Sequence, residues 1–416
     1  MQELIQVEFQ AAVCLNAAMQ QNHLPVIHRL HISAQGEPLQ GPLTVSLKSE
    51  PAFAQPWSCT VETLQPGEHR ELTPVSLQLS GGFFRQMTEE MPGEFLVEVT
   101  DGERVLAQAR QSIQLLPVDQ WPGIRVIPEL AAAFVTPNQP VIGEILRDAG
   151  RILEKWRGEP SFIGYQGQSA HLVRLQMAAI YGALQQQNIG YCMPPASFGS
   201  GQRVRFCDSL LKQQLGTCLD LTFLYLSCLE AAGLHGMLVL HNQHAYAACW
   251  LEEQCFPECV QDDFSVLTKR VAQGVEEIAV VECTAFTARQ RPLSFDVACA
   301  QAGEHFQEAE TFALLVDIWR SRLSGIRPLS LTAEEPAYAS VPREQREPVE
   351  QAPQCHPEVE KVEWAPVEIS RQQLWERKLL DLSLRNTLIN FRLTRSAVLL
   401  LASDLSALEG ALSSRP

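Results

Sequence analysis

From Leu219 to Ala232 the chain is apolar on nearly every side, and Gly233 ends the run. A helix with no polar face has to be buried, so this stretch predicts a central helix around which a domain is built. Gly216, Thr217 and Cys218 stand directly before it. Thr217 is placed to cap the helix, which sets Cys218 in the first turn. Unpaired backbone N–H groups and the positive end of the helix dipole meet there, and both favour a thiolate over a thiol. Gly216 would let a substrate approach the backbone closely.

The residues after the helix complete a pattern. Met237 to Leu240 reads as a strand, His241-Asn242-Gln243 as a polar turn, and His244 to Leu251 as a second strand opened by its histidine. Ile278 to Val281 is a third short strand, with Glu282 at its end and Thr284 two residues on. Taken singly, a cysteine in an apolar region is a core thiol and a histidine at a strand end is solvated. Taken together, the three give a thiol nucleophile (Cys218), a general base and then acid (His244), and a carboxylate that orients the imidazole (Glu282).

A length of 416 residues exceeds one ordinary core. The composition, 46% hydrophobic and 19% charged, easily supplies two or three. The net charge of -16 argues against a general phosphate-backbone binder, so no direct nucleic-acid binding is expected of this chain. The start carries no basic segment followed by an apolar one, and no apolar run reaches about 18 residues. Neither a secretory signal nor a membrane contact is therefore expected. Twelve scattered cysteines suit a reducing cytoplasm.

Along the chain, residues 1–120 read as β-structure. Val26 to Ile32 and Leu43 to Leu47 approach strand alternation, and Val75 to Leu79 keeps it strictly. Asp101-Gly102 separates two further strand patterns, Phe95–Thr100 and Arg104–Ala107, and predicts a hairpin. Short strands between Pro/Gly turns suggest an immunoglobulin-like β-sandwich. Residues 121–330 change character. Helical spacing runs from Val141 to Ala149 and from His171 to Gln187, and a Gly/Pro-rich loop spans Cys192 to Gly201. Residues 331–369, dense in Pro, Glu, Gln and Ala, read as a linker. In 370–416, Ser370 is placed to cap a helix through Leu382, and a second apolar helix includes Val398 to Leu401. Two such helices make no core alone, so the chain reads as cut from a longer protein. Arg385, Arg392 and Arg395 form a modest basic face there.

Cys255 and Cys259 lie near His241 and His244 but lack the second matched pair a structural zinc site uses. No metal and no cofactor is expected.

Two resemblances add to this. Gly216-Thr217-Cys218-Leu219-Asp220, His244-Ala245-Tyr246 and Val281-Glu282-Cys283-Thr284 resemble the Cys, His and acid blocks of the transglutaminase-like cysteine-protease superfamily. That resemblance implies a papain-like α+β fold for 121–330, a protein or peptide substrate, and the roles already given to Cys218, His244 and Glu282. The family's acid is usually Asp where this chain has Glu282. Residues 252–277 form a longer insertion than the family carries, as a lid or specificity loop would. Gln202, Gln166 and Tyr165 are the candidates for an oxyanion-hole side chain, beside the backbone N–H of Cys218.

Second, Gly164-Tyr165-Gln166, Gly201 to Arg205, the Cys block at Gly216 to Asp220, Ile326 to Leu329 and above all Trp375 to Phe391 resemble the N-terminal region of large bacterial helicase-like proteins. In those, a transglutaminase-like module precedes a domain of unknown function and a superfamily 1 helicase motor. The resemblance implies a role in nucleic-acid transactions, anti-phage defence included, with the C-terminal helicase portion of the same protein as partner. No Walker A string occurs, so this segment is not the ATPase. The expected activity is thiol-dependent acyl transfer of the cysteine-peptidase kind. The rival is a non-catalytic sensor or scaffold of the same fold that binds a protein partner and regulates the helicase.

Overall fold

Alternation at the N-terminus becomes two β-sheets. In the computed structural model, residues 5–34, 39–102, 104–193, 196–199, 201–288, 292–307 and 309–330 are described. Strands β1 (Ile5–Ala11), β3 (Ile27–Ala34) and β6 (His69–Glu71) form one antiparallel sheet. The other runs β2-β8-β7-β4-β5, from β2 (Cys14–Leu15), β4 (Leu39–Glu50), β5 (Trp57–Leu64), β7 (Met91–Asp101) and β8 (Arg104–Leu115). All its pairs are antiparallel except β2 with β8.

Along β7, Gly93, Phe95, Val97 and Val99 are buried while their neighbours are partly exposed, the period of two that a half-buried strand requires. Phe95 meets Phe9 of the first sheet edge-on at 6.1 Å between centroids, and Phe53 at 5.1 Å. The two sheets thus share a core. The hairpin of β7 and β8 pairs through Asp101↔Arg104, and Gly102 takes the positive φ of 71° the turn demands.

Val75–Leu79 is the exception. Its side chains alternate as a strand's would, yet the segment makes only an isolated bridge, Leu79 to Ala54. Alternation reports a surface that is half covered; a strand also needs a neighbour along its length, and here the pairing with Phe53–Gln55 stops after one bridge.

The second half is built on a five-stranded antiparallel sheet. Its strands are β9 (Gly236–His241), β10 (Ala245–Trp250), β11 (Val260–Gln261), β12 (Ile278–Val281) and β13 (Phe312–Asp317), in the order β11-β13-β9-β10-β12. Strands β9, β10 and β12 are buried at every position because both faces are covered. Leu238, Leu240, Ala245, Ala247 and Val281 belong to the main core; Met237, Val239, Tyr246, Ala248 and Val280 belong to a second cluster with Phe256, Phe264 and Leu267.

That second cluster corrects one expectation. The 252–277 segment folds as part of the sheet's support: β11 pairs with β13, and Phe256 packs on Trp250 at 4.9 Å between rings. It is not a lid.

Helices α1 (Pro140–Arg157), α2 (Ala170–Gln185), α3 (Cys218–Ala231) and α4 (Phe295–Glu304) complete this part. Every residue of α3 from Cys218 to Leu229 is buried, as its all-round apolarity predicts. Its polar groups are satisfied inside: Ser227 Oγ donates to Phe223 O (2.7 Å) and accepts from Thr136 N (2.9 Å). The chain is therefore of mixed α/β content, with a β-sheet front and an α+β body. The main apolar core runs without a break from Ile5 to Leu329, so the two share packing.

The described residues all fall within one compact unit, Met1–Cys355. The predicted linker, the helices after Ser370 and the basic face of Arg385, Arg392 and Arg395 lie outside the described residues. Among the described residues no helix is long and apolar enough to cross a membrane.

Candidate active site

The start of α3 is fixed by its own sequence. Thr217 Oγ1 accepts from Asp220 N (3.2 Å) and Asp220 Oδ2 accepts from Thr217 N (2.9 Å), a reciprocal capping box. Asp220 also accepts from the backbone N–H of Arg205 (2.7 Å) and from its guanidinium (3.1 Å). The loop before the helix is thereby tied to its first turn. Thr217→Ala breaks half of the box and leaves a buried N–H unpaired. We expect it to cost about 1–2 kcal/mol in urea unfolding.

Cys218 is the first residue of that turn and is 8% exposed. A small cleft of about 20 Å³ lies beside it, lined by Tyr191, Cys192, Phe198, Gln202, Thr217 and Leu219 among others. Gly216 does not open that cleft. A Cβ there would come within 3.1–3.4 Å of Leu210 and Leu221, so its smallness serves packing and not substrate approach.

Sheet register delivers the other two groups. Strands β10 and β12 pair through Ala247↔Val281, so Glu282, one step beyond β12, emerges close to His244, one step before β10. His244 Nε2 and Glu282 Oε2 are 2.7 Å apart. The second carboxylate oxygen accepts from Thr284 N (2.9 Å) and Thr284 Oγ1 (2.7 Å), which fixes the plane of the group. Thr222 Oγ1 donates to Cys218 O (2.8 Å) and reaches Ala245 O (3.3 Å), joining the start of α3 to the start of β10.

The electrostatics are those of an ion pair. Burial opposes charge on His244, but hydrogen bonding to Cys218 and Glu282, and then their charges, outweigh it and push the imidazole up to about 10. Burial likewise opposes charge on Glu282; hydrogen bonds from His244 and His305 and the charge of His244 overcome that and hold the carboxyl far below its ordinary range. Because Nε2 faces Glu282, Nδ1 is the nitrogen left for the sulfur.

His305 is the group sequence reasoning missed. It sits at the end of α4, its Nε2 3.5 Å from Glu282 Oε2 and its ring 5.0 Å from that of His244. A third imidazole, His241, is pushed down to about 4 by burial and by its two histidine neighbours. It therefore stays neutral, between Thr311 Oγ1 (2.8 Å) and the Tyr246 hydroxyl (3.2 Å). Nothing in the sequence around Gly303-Glu304-His305 signals a site.

Among the three oxyanion candidates, only Gln202 lines the cleft. Its Oε1 accepts from Ser197 N (3.0 Å) and Ser197 Oγ (3.1 Å), and its Nε2 donates weakly to Arg203 O (3.4 Å). Tyr165 is spent elsewhere: its hydroxyl donates to Trp250 O and accepts from His235 N, at the end of β10 opposite His244. Gln166 is exposed on a turn. Cys255 and Cys259 are not drawn to His241 or His244; the cluster of metal-ligating type that forms among the described residues is His244, Glu282 and His305.

A family described as a protein of unknown function (DUF4011) matches residues 378–416. That span takes in most of the Trp375–Phe391 string. No curated protein matches the chain.

Chemically, the site holds a buried thiol at a helix start, an imidazole that is cationic at neutral pH, and a carboxylate fixed from behind. Such a set can deliver a nucleophile and return a proton to a leaving group.

Proposed function

We propose that Cys218, His244 and Glu282 form the catalytic centre of a thiol-dependent acyl transferase of the cysteine-peptidase kind, acting on a protein or peptide amide. The observation that carries this reading is the 2.7 Å pairing of His244 with Glu282 at the head of the helix that starts with Cys218. Cys218 Sγ attacks the carbonyl carbon while the imidazolium protonates the departing amine. Water, deprotonated by His244, then cleaves the thioester and restores the thiol. In this reading Gln202 and the backbone N–H of Cys218 receive the oxyanion.

The α+β body is read as a transglutaminase-like module and the β-sheet front as an immunoglobulin-like sandwich. The wider reading, a cytoplasmic N-terminal region of a helicase-like protein whose C-terminal motor is its partner, rests on the Trp375–Phe391 string, most of which falls within the DUF4011 match at 378–416. One observation favours the rival scaffold: Cys218 is nearly enclosed, and the cleft beside it, about 20 Å³, has room for about one water molecule.

Site-resolved mass spectrometry with a limiting peptide-based thiol electrophile separates the two. Catalysis requires Cys218 to label before Cys192 and Cys259, which are more exposed. Labelling of Cys218 last, or not at all, leaves the scaffold.

A further inference from the structure

Three ligand atoms of zinc-binding type converge behind the candidate nucleophile. His244 Nε2, Glu282 Oε2 and His305 Nε2 all lie within 4.8 Å of one another. The carboxylate oxygen sits between the imidazoles, 2.7 Å from one nitrogen and 3.5 Å from the other. Ligands bound tetrahedrally at the zinc distances of about 2.0–2.2 Å stand roughly 3.3 Å apart, so the site needs shifts of an ångström or so and no change of fold.

The surroundings favour a metal as well. Glu282 Oε1 is held by Thr284 N and Oγ1, which leaves Oε2 as the ligand. The His305 ring lies flat on Tyr246, 5.2 Å between centroids and 14° between planes, so its direction is set by packing. His244 and His305 side chains are about a quarter exposed, which gives an ion a way in, and Glu282 is nearly buried, which gives its charge strength. Outer-shell support of this kind is what orients metal ligands.

We propose that His244, Glu282 and His305 bind a zinc-class divalent ion, with water in the fourth position. Two histidines and one carboxylate with an open place is a recurrent zinc donor set. Binding replaces the proton shared by His244 and Glu282, so one proton leaves for each ion that enters. The coordinated imidazole then carries its only proton on Nδ1, towards the sulfur, and cannot accept another. If the thiol reading above holds, zinc is therefore a reversible brake on the nucleophile; the binding itself does not depend on that reading.

Zinc uptake is measured by competition with a chromophoric chelator on the full chain, its His305→Ala and His305→Gln variants, and Cys218→Ala. Wild type and Cys218→Ala are expected to take up one more tight equivalent than either His305 variant. In those variants that equivalent is lost or weakened by more than about tenfold. Adventitious binding by Cys255 or Cys259 is common to all four proteins and cancels. Equal uptake by wild type and both His305 variants overturns the site. So does loss of the equivalent in Cys218→Ala, since the sulfur would then be a ligand. Acylation of Cys218 by an activated ester, with and without zinc, reads the brake separately: a failed thiol chemistry leaves the uptake result standing.

Discussion

His244→Ala should slow acylation of Cys218 by an activated ester by about a hundredfold, the low end of the range for removing a general acid–base. The low end applies because an activated leaving group needs no proton. An unactivated amide does, and for a peptide substrate the loss should approach about 10⁴-fold. The difference between the two substrates is the informative quantity. A histidine that only stabilised the fold would slow both alike. Equal losses on ester and amide, read as acylation rates by mass spectrometry, would remove His244 from proton transfer. The same variant takes a cation away from Glu282, so its folding should be checked before its kinetics. Because His244 is pushed up to about 10, the imidazole of the wild type is charged across the whole neutral range. Amide cleavage in the wild type should accordingly hold up towards alkaline pH and fall only as pH approaches 10.

Much of the site is legible in the sequence alone. The all-round apolarity of Leu219–Ala232 and the Thr217 cap place α3, and the short apolar runs around it place β9, β10 and β12 within a residue or two. These signals are local: a helix start, a strand end and a turn are written in consecutive residues. The features that stay hidden depend on pairing or packing between distant segments. Val75–Leu79 alternates but finds no ladder, because pairing is decided by what lies alongside. The 252–277 segment looks like an excursion in sequence, yet Phe256, Phe264 and Leu267 close the far face of the sheet. Tyr165 is a reasonable donor by its motif, but its hydroxyl is used on Trp250 and His235. Gly216 looks like room for a ligand and proves to be room for two leucines. His305 reaches the site only because α4 packs against β12 and ends beside Glu282. No local pattern could announce that.

Glu282→Gln should destabilise the protein by about 3 kcal/mol near pH 6, the lower end of the cost of breaking a buried pair. The lower end is apt because the His244 side chain is 23% exposed and water recovers part of the loss. The amide keeps the shape and the contacts with Thr284, so the change isolates charge. Its pH dependence comes from the two groups. His244 is raised from its ordinary 6.5 to about 10, so its contribution is complete below 6.5 and is lost as pH climbs to 10. Glu282 is depressed from its ordinary 4.5, so its contribution is complete above 4.5 and is lost as pH falls through its lowered value. The gap between wild type and variant should thus be widest between pH 4.5 and 6.5 and should narrow steadily above that. Urea unfolding of both proteins at intervals from pH 5 to 10 measures it. A gap that stays constant across that range would mean the carboxylate and the imidazole do not share a proton-linked bond. The paired geometry on which both the acyl-transfer and the zinc proposals draw would then be lost together.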